Sequence, residues 1–284
     1  MPIDVQAAVG LAIPEQEFHW SEQNMREYRR AVGQEPRQTG VLPTFAMTAP
    51  GAFGVASPDF YLPGPPEIRF PGIRLNLATL LHLEQELVVP TPLPRTGFAR
   101  CRGEVVGIEE HGTAAVLVQR TTMIAADGTT LMSGISRIHA RGEGGNGTDN
   151  RRTAAATTPT RGPDAETRTP TSTAQAVWYQ ACIRGGSLHD NVHTDAAFAR
   201  AAGFPGPILQ GVCTYGMVCA ALVDAVADSD AGRVRRYAAR FRGVVFPGES
   251  LRTRIWSTDD EYVFVTTVPE REDKPVLSGA LRTG

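Results

Sequence analysis

Apolar and polar positions run through the chain in two rounds that share one order. In the first round, Leu75 to Leu81 predicts a short apolar helix. Glu84 to Val89 then alternates and ends in a Pro-rich turn, PTPLPRTG. Three strands are predicted after it, Phe98 to Ile108, Thr113 to Ile124 and Thr130 to Ala140. They are broken at Glu109-Glu110-His111-Gly112 and at Asp127-Gly128, and the second break is a strong hairpin signal. In the second round a longer apolar helix spans Ile208 to Val226. Arg235 to Val245 alternates into the turn Phe246-Pro247-Gly248-Glu249. Strands follow at Leu251 to Ser257, Tyr262 to Val268 and Val276 to Arg282.

Each round therefore reads as a helix followed by four mostly antiparallel strands. Such a sheet must bury one face, and the apolar helix is the cover at hand. The second helix is apolar nearly all round (Ile208, Leu209, Val212, Cys213, Met217, Val218, Leu222, Val223, Val226), which marks it as buried. A helix wrapped by an antiparallel sheet, occurring twice, is an α+β double hotdog. Exposed strand edges invite stray pairing, so the two sheets are expected to join edge to edge into one. The rounds are separated by GEGGNGTDNRRTAAATTPTRGPDAETRTPTS, a stretch with almost nothing large and apolar to offset its ordering entropy. The division expected is a first lobe at 1–145, a flexible linker at 146–172 and a second lobe at 173–284. Residues 49–72 are also rich in breakers but hold Phe53, Phe60, Tyr61 and Phe70, and read as an ordered loop over a binding groove.

Charge and composition remove several classes of function. With 28 Lys+Arg against 30 Asp+Glu among 284 residues, nothing points to nucleic acid or a polybasic membrane contact. No apolar run is long enough to span a bilayer. The first ten residues carry Asp4 and no basic region, so no secretory signal is expected. Cys101, Cys182, Cys213 and Cys219 have neither zinc spacing nor disulfide density, which fits a reducing cytoplasm. Lys274 is the one lysine, beside Asp273 and Pro275, and suits neither a Schiff base nor a phosphate loop.

The chemistry concentrates in residues 185–216, GGSLHDNVHTDAAFARAAGFPGPILQGVCTYG. Asp190 and His193 lie three residues apart in a polar loop. Gly211 follows in the first turn of the buried helix, after Pro207. A helix start offers unpaired N–H groups and positive partial charge, and a glycine there lets a carbonyl oxygen approach. An acid–base pair facing an N–H donor is what enolate chemistry on a thioester requires.

This stretch resembles the MaoC-like, (R)-specific enoyl-thioester hydratases, the hydratase 2 family. The resemblance rests on His193, Gly203-Phe204, Pro207-Ile208-Leu209-Gln210-Gly211 and Cys213-Thr214-Tyr215-Gly216, and continues through ARFRGVVFPGESLRTRIW. The first half is similar to the degenerate first hotdog of the two-repeat members, at Glu17 to Glu22, Val41 to Phe45, Leu80 to Gln85 and Arg141 to Gly145. The resemblance implies that His193 is catalytic and that the Gly211 N–H is the oxyanion donor. Counted without gaps from His193, the family's aspartate falls on Leu188, its asparagine on Asp190 and its proline on Asn191. A gapped reading lets Asp190 and Asn191 stand for the family's Asp and Asn. The family's histidine before the glycine is Gln210 here, carried with Gly211 as a substrate-binding position.

The activity implied is hydration of a trans-2-enoyl thioester, or dehydration of an (R)-3-hydroxyacyl thioester. Water is held by His193 and Asp190, and the handle is coenzyme A or acyl carrier protein. No metal or redox cofactor is implied. A homodimer is compatible with the family. Two other readings stay open, an altered or inactive acyl-thioester-binding protein of the same fold and a hotdog thioesterase. Elsewhere, Cys213 and Cys219 read as core, and His82 with Glu84 reads as structural.

Overall fold

The computed structural model describes residues 3–49, 67–76, 80–111, 114–140, 158–183 and 191–284. The first lobe opens with a short helix, α1 (Val5–Ala8), and an edge strand, β1 (Ala12–Trp20). Helix α2 (Glu22–Ala31) begins in a capping box. The Ser21 hydroxyl accepts from the Asn24 N–H, and the Asn24 side chain accepts from the Ser21 N–H. Met25, Tyr28 and Ala31, spaced by three, form its buried face. After a buried 3-10 turn (Pro43–Thr48) come a hairpin, β2 (Glu67–Phe70) and β3 (Ile73–Asn76), and four long strands. These are β4 (Leu80–Val88), β5 (Gly97–His111), β6 (Ala114–Ala125) and β7 (Thr130–Ala140). The second lobe contains β8 (Ala165–Pro170), α3 (Gln175–Cys182), α4 (Ala196–Ala201) and α5 (Gly211–Val226). It ends in β9 (Val234–Phe241), β10 (Ser250–Ser257), β11 (Tyr262–Val268) and β12 (Lys274–Thr283).

Ten strands pair into one sheet in the order β1-β5-β6-β7-β4-β9-β12-β11-β10-β8. Outward from the centre, both lobes present their second strand, then the fifth, fourth, third and first. The halves are thus related by a pseudo-twofold between β4 and β9, where Gln85 faces Ala239 and Leu87 faces Tyr237. The edge-to-edge junction expected from the sequence is present, and the fold is a double hotdog.

Three expectations need correction. Leu75 to Leu81 is not a helix, because β3 runs to Asn76 and β4 starts at Leu80. A short apolar run is compatible with either element, and here the sheet claims it. The helix that packs in the first lobe is α2, whose polar lead-in disguised it. Each lobe also has five strands in the shared sheet rather than four. The additional ones are β1 and β8, and β8 lies inside the stretch read as linker. Its sequence AETRTP only half-buries alternate positions and pairs on one side only, with β10, so apolar content was a poor guide. Residues 141–157 lie outside the described residues, as does most of 49–72. Finally, α5 starts at Gly211, and Pro207 sits four residues ahead of it in irregular chain.

Helix α5 is the centre of the core. Cys213, Tyr215, Met217, Val218, Cys219, Leu222 and Val223 are all at most 1% exposed. Tyr215 stacks on Tyr237 of β9 at 4.2 Å, and each hydroxyl donates to the other residue's carbonyl, at 2.9 and 3.1 Å. Buried phenols are thereby satisfied while the helix is pinned to the sheet. A Cβ on Gly216 would stand 2.7 Å from the Tyr28 hydroxyl and 2.8 Å from Val32, so glycine is what lets α2 reach α5. None of the described helices is long and apolar enough to cross a membrane.

Candidate active site

His193 lies in the turn just before α4. Its backbone N–H donates to the Asn191 side-chain oxygen at 2.8 Å, an Asx turn that fixes the local chain. Asp195, two residues on, N-caps α4. The imidazole Nδ1 stands 2.9 Å from the Ile208 carbonyl. A carbonyl only accepts, so Nδ1 carries the proton and Nε2 keeps its lone pair. Burial pushes the His193 pKa below its ordinary value, and the Ile208 carbonyl opposes this only in part. The ring is therefore a neutral base at physiological pH.

The same contact ties the histidine loop to the start of α5. Ile208 N–H donates to the Val192 carbonyl at 3.1 Å, and Leu209 N–H donates to the Val245 carbonyl at 2.8 Å. The segment before Gly211 is thus clamped between the His193 loop and the turn between β9 and β10. Gln210 is the N-cap residue of α5 but makes no side-chain cap. The first N–H groups of the helix, at Gly211 and Val212, have no intrahelical acceptor by the geometry of a helix start. They carry the positive end of a 16-residue buried helix.

Gly211 is shaped by a neighbour the sequence does not reveal. A Cβ there would lie 3.2 Å and 3.3 Å from two ring carbons of Phe241, at the end of β9. A side chain there would press on that ring, and glycine leaves the helix start room beside it. Gln210 is 4% exposed, and its amide turns to α3, donating to the Ala176 carbonyl at 3.0 Å and to Gln180 Oε1 at 3.3 Å. Its backbone reaches the helix start, while its side chain seats α3. Asp190 and Leu188 lie outside the described residues. Ile208 and Phe241 stand in segments that carry the resemblance, but their contacts with His193 and Gly211 are made by folding and could not be read from the sequence. Among the described residues no group of three His, Cys, Asp or Glu could hold a metal ion.

The family description "MaoC like domain" matches residues 154–278, and "MFE-2 hydratase 2 N-terminal domain" matches residues 30–142. Over 284 aligned residues the chain is 39% identical to Enoyl-CoA hydratase ChsH3 of Mycobacterium tuberculosis, with 98% of each chain covered. The chain belongs to the MaoC-like hydratase 2 family. It is also 35% identical to 3-hydroxyacyl-thioester dehydratase Y of the same organism, over 77% of this chain and 71% of that one. Among solved structures, a MaoC-like dehydratase from Phytophthora Capsici superposes with a TM-score of 0.85 at 24% identity, covering 99% of this chain and 97% of its own. At that identity the superposition speaks for the fold. Membership in the family accounts for both lobes, since the two descriptions divide the chain where the pseudo-twofold does.

Proposed function

We propose that this chain is a hydro-lyase that adds water to trans-2-enoyl-CoA thioesters, giving (R)-3-hydroxyacyl-CoA, and catalyses the reverse dehydration. The observation that carries this reading is the neutral His193, with Nδ1 committed to the Ile208 carbonyl, three residues before the open start of α5. The thioester carbonyl oxygen is received by the first N–H groups of α5. Water held at His193 Nε2 gives up a proton as its oxygen bonds to the β-carbon. The double-bond electrons move onto the carbonyl oxygen, and a proton delivered to the α-carbon returns them. The product is substrate plus one water. Asp190, in the same loop, is the second acceptor for that water. Gln210 supports the site by holding α3 against the helix start.

Coenzyme A is the carrier favoured by relatives named for enoyl-CoA hydration. A reducing compartment such as the cytoplasm suits four buried cysteines outside any disulfide. The test is the enoyl absorbance of crotonyl-CoA with purified protein. Loss of the band without release of free thiol is expected. Thiol release would mean a thioesterase, and binding without either change would mean an inactive acyl-thioester-binding protein.

A further inference from the structure

Strand β4 contains an irregularity that changes what the helix-bearing face of the first lobe presents. Gln85 and Leu87 point to that face and are 1% and 0% exposed. Glu84 and Glu86 point away and pair with Arg137, Arg240 and Arg236. Strict alternation would place Leu83 and Leu81 inside and His82 outside. A bulge between His82 and Glu84 reverses this, leaving Leu81 48% exposed and turning His82 inward opposite buried Ile138. Bulges often re-aim a side chain beside a site.

The inward His82 has a defined chemistry. Its ring lies 4.8 Å from the ring of Phe241, the same ring that bounds Gly211. His82 is thus one aromatic ring away from the start of α5. The Gln85 side chain and the Glu84 backbone engage the imidazole, and burial lowers its pKa to about 4, so it is neutral. Nε2 is buried without a hydrogen-bond partner. Beside it a polar row crosses three strands. Gln85, Ser136 and Gln119 are 1%, 1% and 2% exposed, with Ser136 Oγ donating to Gln85 Oε1 at 2.7 Å and Gln119 Nε2 to Thr121 Oγ1 at 3.2 Å. A wall built only for hydrocarbon has no use for such residues, and an unpaired buried acceptor lowers stability.

We propose that His82 and the polar row beside it form a subsite for a hydroxyl group on the acyl chain, several carbons beyond the reacting double bond. The inference rests on the hydro-lyase reading and narrows its substrate class to hydroxylated acyl thioesters. Nε2 accepts a hydrogen bond from the hydroxyl, and the row accommodates the oxygen. A hydroxyl fits where a carbonyl does not, because a neutral imidazole with its N–H engaged offers only a lone pair.

The test compares trans-2-decenoyl-CoA with analogues bearing one hydroxyl at successive carbons beyond the double bond. For at least one analogue, the full chain should show kcat/KM about tenfold or more above the parent. In His82→Phe and in His82→Leu that ratio should fall to about one, with melting confirming the fold; either variant suffices. Calorimetric binding of the saturated acyl-CoA pair reads the same ratio without turnover. No preference in the wild type, or a preference that survives both variants, would overturn the subsite. A wild type that hydrates neither crotonyl-CoA nor decenoyl-CoA would instead defeat the hydro-lyase reading, and the binding ratio would still decide the subsite.

Discussion

A histidine whose Nδ1–H is committed to a carbonyl has one nitrogen left for chemistry, and this sets how His193 responds to pH. Burial places its pKa below the ordinary 6.5. If neutral Nε2 is the base, kcat/KM for hydration falls only as the pH drops through that lowered value. The midpoint of the acid limb is therefore expected below pH 6.5, and a pH–rate profile with a midpoint at or above 6.5 would remove His193 from this role. His193→Ala should lower kcat by about 10²–10⁴-fold with circular dichroism unchanged. Asp190→Asn is expected to cost a similar factor, because the negative charge and one of the two acceptor oxygens facing the water are lost; unchanged turnover would show that Asp190 only occupies the family's asparagine position. His193 and Gly211 were legible because both sit in one contiguous motif. Phe241, 30 residues beyond Gly211, was not, since only the sheet brings them together.

Elements show which patterns survive the loss of tertiary context. The α5 pattern was legible because it is apolar all round, and β5, β6 and β7 because turns bound them. The edge strands β1 and β8 were not, because edge strands carry polar residues without a clean apolar alternation, and β8 read as linker. The bulge in β4 was equally hidden, because it reverses alternation without changing composition. That bulge has a thermodynamic consequence. His82 keeps its neutral form in the fold, with a pKa of about 4 against 6.5 unfolded. The unfolded state binds this proton first, so stability falls as pH falls from about 6.5 towards 4, by up to about 3 kcal/mol. Urea unfolding at a series of pH values should show a shallower acid loss in His82→Phe than in the wild type. Packing between α2 and α5 gives a second test. Gly216→Ala gains about 1 kcal/mol of helix propensity but places a Cβ against Tyr28 and Val32, an overpacking cost of about 1–3 kcal/mol. The clash is against side chains that are fully buried and cannot move aside, so a net loss is expected, read as a lower Tm.

At the scale of the whole molecule, the junction between β4 and β9 decides whether the lobes are separable. It carries backbone pairing from Glu84 to Val88 and, on the outer face, ion pairs that cross it. Arg236 reaches Glu86 at 2.8 Å, and Arg240 reaches Glu84 at 3.6 Å, where Arg137 of the first lobe also binds. These pairs are partly exposed, so their contribution is small. The stronger link is apolar. One continuous core cluster takes in Phe18, Phe45 and Leu87 of the first lobe together with Tyr179, Tyr215 and Leu281 of the second. Neither lobe keeps a closed core without the other, and separation would expose two long central strand edges. The two family descriptions are therefore expected to mark sequence units and not folding units. Thermal unfolding should accordingly give one transition, coincident by circular dichroism and tryptophan fluorescence, with calorimetric and van't Hoff enthalpies in agreement. Two resolved transitions would show that the sheet junction is an interface between autonomous domains. The site would then depend on docking, since Phe241, beside Gly211 and against His82, sits on the strand that makes the junction.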